Sequence, residues 1–261
     1  MSFFNKNILA LTLIFISFLS LKGVCEDPVQ LTTEKDDISL TDDINIARAQ
    51  VARYPENPEA HFNLAIALSR SSLVEDAIKE LRNTKKIIRK SKDSSLIENK
   101  IKEYKEIIEN DDSKEVNNIR YRIAFAHYLK AYFISKEIEK EIAKKQDNKK
   151  NNLDLFSSEK LLLIENNPEI KENLEKSIYY FKDLLKIDPS DHWAKIYYAF
   201  ILAEQFGKIN EAKKLWLEVK NSEPTNPAPY LFLGELHVKE GKLKEGLIEI
   251  SKAILLRSSG Y

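Results

Sequence analysis

The chain has 261 residues, 43% of them hydrophobic and 31% charged, with six glycines and one methionine. A chain of this length buries a sizeable core, and abundant Lys, Glu, Ile and Leu beside so little glycine favours helix over strand. The 41 Lys and Arg residues balance 41 Asp and Glu, so the net charge argues against a dedicated nucleic-acid binder.

Residues 1–25 read as an export signal. Lys6 supplies a modest positive start, and Ile8 to Leu21 is an uncharged run rich in Leu, Ile and Phe. That run is too short to span a bilayer, which takes about 20 residues, but it suits a signal-peptide core. Cys25 is the only cysteine, which excludes an intramolecular disulfide. Its place after the apolar run resembles the lipobox of bacterial lipoproteins, whose cysteine is lipidated. Val24 and Lys22 stand where that pattern has a small residue and a leucine. Lipidation of Cys25 and cleavage nearby without lipidation both remain open. Residues 26–43 carry seven acids against Lys35, and 26–42 is expected to be an acidic flexible tether.

Helices follow in order. Thr41 or Asp42 caps one running to about residue 53, with Ile44, Ile46, Ala47 and Val51 as its apolar positions. Pro55 and Pro58 punctuate the entry to a pair at about 59–70 and 74–88. Residues 79–92 carry seven bases against Glu80, which reads as a solvated outer face. A helix at 94–110 has Leu96, Ile97, Ile101, Tyr104, Ile107 and Ile108 on one stripe. Another begins around Ile123-Ala124-Phe125-Ala126-His127 and extends to about 145. After it come a polar loop at 146–152, a short amphipathic helix at 158–165, and a helix bearing Ser177, Ile178, Phe181 and Leu184. Helix pairs at 193–226 and 227–258 complete the chain.

Small residues recur through these elements. Ala65 and Ala77 are 12 residues apart, as are Gly234 and Gly246, and Ala212 and Gly246 are 34 apart. A fixed period of that size marks a stacked helical solenoid. The phrase Asn63-Leu64-Ala65, Leu68, Ala77-Ile78, Leu81 returns as Ala199, Ala203, Gly207, Ala212, Trp216, Pro224, and again as Leu233-Gly234, His237, Gly241, Gly246, Ile250. It resembles the tetratricopeptide repeat (TPR), a helix–turn–helix unit with small residues where its two helices cross. The resemblance implies an all-α, right-handed solenoid of about three to five helix pairs over 43–261. One repeat is split: Ala124 and Ser177 parallel a crossing pair but lie 53 residues apart, which places an insertion at about 146–170. The bulky Phe200 in a small-residue position predicts a splayed pair. Gly246 in place of alanine costs about 0.5–1 kcal/mol of helix propensity.

No constellation carries chemistry. His61, His127, His192 and His237 are scattered, with no His-Glu-x-x-His spacing, no phosphate loop and no nucleophile elbow. No enzyme activity, cofactor or metal is expected. The resemblance instead implies a concave groove lined by the fifth and ninth residues of each repeat. Counted so, these are Phe62, Ile66, Tyr121, Phe125, Tyr197, Ile201 and Leu231, with Glu235 the one polar member. Such a groove suits an amphipathic helix or an apolar extended peptide, and the segment at 158–166 is an alternative occupant from within the chain. The last helix bears Leu247, Ile250, Ile254 and Leu255 without a polar capping helix, which predicts a partner or self-association through the C-terminal repeat. The expected function is a non-catalytic protein–protein interaction scaffold of the bacterial cell envelope. It is exported, periplasmic or tethered by lipid, binds another envelope protein or peptide, and touches membrane only through that lipid. The alternatives are a carrier of lipid or a small hydrophobic ligand, and a transporter-associated periplasmic accessory protein using the same groove.

Overall fold

Close approach of helix backbones at small residues sets the architecture. The computed structural model describes residues 34–91, 95–111, 116–145 and 164–258. The signal segment, Cys25, the polar loop and most of the helix expected at 158–165 lie outside them. Among the described residues there are ten α-helices and no strand. They are α1 (Glu34–Arg53), α2 (Pro58–Ser69), α3 (Val74–Ser91), α4 (Ser95–Asn110), α5 (Asn117–Lys145), α6 (Pro168–Ile187), α7 (His192–Phe206), α8 (Ile209–Ser222), α9 (Pro227–Lys239) and α10 (Leu243–Ser258). Helices α2 and α3, α5 and α6, α7 and α8, and α9 and α10 form four hairpin pairs, with α6 packing on α7 and α8 on α9, α1 packing on α2, and α4 on α5. This is an all-α helical solenoid of TPR-like hairpins.

Counted from the first helical residue, the eighth is Ala65 in α2, Ala124 in α5, Ala199 in α7 and Gly234 in α9. All four are buried, as are Ala77, Ser177, Ala212 and Gly246 on the second helices. The split repeat obeys the same rule, because the Ser177 hydroxyl donates to the Ala124 carbonyl at 2.7 Å. The fully buried Arg120 of α5 reinforces that pair by donating to Asp183 of α6 at 3.2 Å. Phe200 does not stand at a crossing. Asp191 accepts from the Ala194 amide and starts α7 at His192, so Ala199 takes the small-residue place. Phe200 turns instead toward Tyr128 and Phe232, and the expected splaying has no cause.

The start signals are more regular than proline alone suggested. Asn57-Pro58, Asn167-Pro168 and Asn226-Pro227 each open a helix, the Asn side chain accepting from a first-turn amide and the Pro occupying a position with no amide to satisfy. Gly207 ends α7 at φ 64°, a left-handed conformation natural to glycine. Helix α1 begins at Glu34, upstream of the expected Thr41 or Asp42 cap, so 34–42 of the expected tether is helical. Its Ile44 and Ala47 join Leu64, Ala67, Leu68 and Ala77 in a small core, while Ile46 points outward. The stripe of α4 places Ile97 and Tyr104 in the main core against α5.

The α9–α10 crossing leaves no room for a side chain at either glycine. A methyl at Gly246 would meet Val238 Cγ2 at 2.5 Å and the Gly234 carbonyl at 2.8 Å. Gly246→Ala therefore loses more in overpacking than it gains in helix propensity, with an expected net destabilisation of about 1–2 kcal/mol. Thermal unfolding measures it. A raised melting temperature would show that the two helices can separate at no cost.

Candidate functional site

The residues expected to line a groove fill it. Phe62, Ile66, Tyr121, Phe125 and Ile201 are each at most 4% exposed and belong to the main core. Tyr121 lies 5.6 Å from Phe125, 5.6 Å from Phe181 and 6.3 Å from Tyr197, and Phe125 lies 5.1 Å from Tyr197. Tyr197 and Leu231 are half-buried. Because α7 starts one residue earlier than the repeat count assumed, its fifth and ninth residues are Ile196 and Phe200, not Tyr197 and Ile201. The expectation of an open apolar groove is thus corrected: aromatic rings from successive first helices satisfy one another. A charge placed at Phe62 or Tyr121 would test folding rather than binding.

A polar clasp shuts the same surface. The Tyr121 hydroxyl is 2.9 Å from Ser69 Oγ. The Arg70 guanidinium sits 4.5 Å from the Tyr121 ring centre and donates to Asp191 at 2.8 Å. One arginine thereby joins α2, α5 and α7. Of the inserted segment, residues 164–170 are described, and Ile164 and Ile170 are buried in this core.

Three of the four histidines are held by structural partners, while the buried Nδ1 of His237 has none among the described residues. His61 bonds Glu80 and the Pro55 carbonyl. His127 bonds Asn173 at 2.9 Å and stacks on Tyr180, and burial lowers its pKa. His192 meets Glu223 and Ser222. Among the described residues no group of His, Cys, Asp or Glu is placed to hold a metal ion, and no helix is long and apolar enough to cross a membrane.

Two surface features remain. An open cleft of about 160 Å³ lies between α1, α2 and α5, lined by Asp43, Ile46, Gln50, Asn63 and Arg122, with Arg122 donating to Asn63 at 3.2 Å. It was not legible in the sequence, because its residues come from three helices in no shared phrase. The larger feature is α10. Leu243, Leu247, Ile248, Ile254 and Leu255 are all exposed there, five of the ten exposed large hydrophobics among the described residues. The pattern of the last helix pointed to this face. Ile250, however, turns inward against Gly234, and Ile248 takes its place outside.

No protein-family model matches the sequence, and no curated protein matches it. Among solved structures, the crystal structure of MamA superposes with a TM-score of 0.35 at 12% identity, covering 88% of this chain and 97% of that one. The crystal structure of yeast Tom70 gives a TM-score of 0.32 at 16% identity over 88% of this chain, which spans 42% of Tom70. Both superpositions are too loose to carry an argument. The TPR-like fold rests on the helix pairing and the eighth-residue register.

Within the concave region Glu235 is the titratable exception. Burial raises its pKa to about 7, with the Glu204 charge adding to the rise and Lys239 opposing it. The folded state therefore holds a proton on Glu235 that the unfolded state, titrating near 4.5, gives up. Stability is undiminished by this group below about pH 4.5 and is lost as pH rises through 7. Glu235→Gln removes the dependence. It should be more stable than the parent above pH 7 by about 1–3 kcal/mol, allowing for solvent screening of a part-exposed carboxyl, and equal to it at pH 4. Denaturant titrations at the two pH values measure the difference.

Proposed function

We propose that the protein is a non-catalytic scaffold for protein–protein contacts in a bacterial cell envelope. It is exported by the segment 1–25 and held at the membrane when Cys25 is lipidated. The single observation carrying the scaffold reading is the aliphatic face of α10. Isolated exposed leucines are ordinary on protein surfaces, but a contiguous apolar face marks a contact site. Partner binding is assigned to this face because the concave positions are occupied by one another. The same filling weakens the carrier reading, since a lipid carrier needs an apolar cavity and these side chains leave none at the predicted place. The export assignment rests on the apolar run 8–21 and on the position of Cys25.

A photoreactive residue at Ile248 should crosslink to a second polypeptide, of this or another protein, in intact envelopes. One at Tyr179, which is as exposed but lies on α6, should not. Equal labelling from both sites, or none from Ile248, would remove the reading. For the anchor, Cys25→Ser should move the protein from the membrane pellet to the soluble fraction. An unchanged partition rejects lipidation.

A further inference from the structure

We infer that the partner on the α10 face is a second copy of this chain, docked as a two-fold antiparallel α10–α10 contact. This rests on the reading of α10 as the contact surface and adds what occupies it.

The apolar pattern on α10 is symmetric. Leu247, Ile248, Ile254 and Leu255 are 46%, 60%, 41% and 65% exposed, and they are disposed evenly about Ser251, also exposed. At about 100° per residue, Leu247 and Ile254 lie about 40–60° to one side of Ser251, and Ile248 and Leu255 lie as far to the other. A two-fold axis crossing the helix at Ser251 reverses the chain direction and keeps each flank on its own side. It therefore sets Leu247 against the second copy's Ile254, and Ile248 against the second copy's Leu255. A contact between identical patches requires such self-complementarity, whereas a foreign partner places no such demand on the spacing. The residue at the axis is small, as at every crossing inside the solenoid, so the two backbones can approach closely.

The rim agrees in charge. Glu245 and Lys252 lie on one flank, and neither is in an ion pair among the described residues. Within one helix they are two turns apart. The two-fold sets Glu245 of one copy about 7.5 Å along the axis from Lys252 of the other, on the outer edge of the contact, where opposite charges favour the pairing.

Sedimentation velocity on the full chain should show a concentration-dependent dimer. Leu247→Glu and Ile254→Glu should each raise its dissociation constant by about tenfold or more while leaving the melting curve of the dilute, monomeric chain intact, since both side chains are exposed. Cys25 is the only cysteine, so Cys25→Ser combined with Ser251→Cys leaves one thiol at the axis. A disulfide needs Cα atoms within about 7 Å. Oxidation should therefore give a covalent dimer, and the same thiol at exposed Ser190 should give none. A parent chain that stays monomeric at its highest soluble concentration, with no crosslink through residue 251, overturns the inference. If Ile248 still crosslinks to another protein in that case, the scaffold reading stands alone; if it labels nothing, both fall.

Discussion

Burial of the Tyr121 phenol is the constraint on which the rest of the molecule depends. A hydroxyl withdrawn from water costs about 1–3 kcal/mol unless it is paired. The Ser69 hydroxyl of α2 provides the pairing, 52 residues away in sequence. The ring needs apolar and aromatic neighbours, and α5, α6 and α7 provide Phe125, Phe181 and Tyr197. Its face accepts the Arg70 guanidinium, whose charge is matched by Asp191 across 121 residues of chain. Asp191 in turn caps α7 and fixes its starting residue. One side chain thus ties the first, split and third hairpins together. The curvature that would leave a groove in a longer, looser solenoid is consumed in making this core.

That closure explains which parts of the molecule could be read from the sequence. The crossings were legible because a small residue at a close backbone approach has no substitute: Ala124 and Ser177 were recognisable across 53 residues and are hydrogen-bonded. The occupancy of the concave side was not legible. Phe62, Tyr121 and Phe125 at lining positions are equally suited to a foreign helix and to one another, and only the distance between first helices decides. The register of α7 failed for a local reason. A repeat count carried from Pro224 back to residue 193 misses the Asp191 cap, which begins the helix one residue sooner and exchanges Phe200 for Ala199 at the crossing. The Arg122–Asn63 cleft was hidden because three helices build it. The α10 face was legible in outline, but the tight glycine crossing rotates Ile250 inward and Ile248 outward, a detail set by packing rather than by pattern.

The distribution of apolar residue types separates the two kinds of surface. The aromatic contacts run continuously from Tyr121 through Tyr128 and Phe200 to Phe232 and Trp216, and they join the second, third and fourth hairpins from within. Large flat rings supply much contact area at little conformational cost, which suits an interior that must be shaped once. The exposed apolar residues of α10 are all aliphatic, so they carry apolar area without the interlocking ring geometry of that interior.

The stability of a solenoid is close to a sum of hairpin terms and nearest-neighbour interfaces. Among the described residues the α9–α10 hairpin has a neighbouring hairpin on one side only, through α8 on α9. Its crossing is made by two glycines, which allow the closest approach but contribute no methyl contacts and carry the largest backbone entropy loss. The Lys220–Glu249 and Lys213–Glu240 ion pairs, Lys220 over the Tyr230 ring, and the contacts of Phe232 with Trp216 and Phe200 hold it to the body. A hairpin flanked by another hairpin on one side only is therefore the one that presents the apolar face. Anything that covers α10 adds to the stability of the folded hairpin in proportion to its concentration over its dissociation constant. Occupancy of this face and order in the last repeat are thus one equilibrium, and a partner that binds there acts on the fold as well as on the surface.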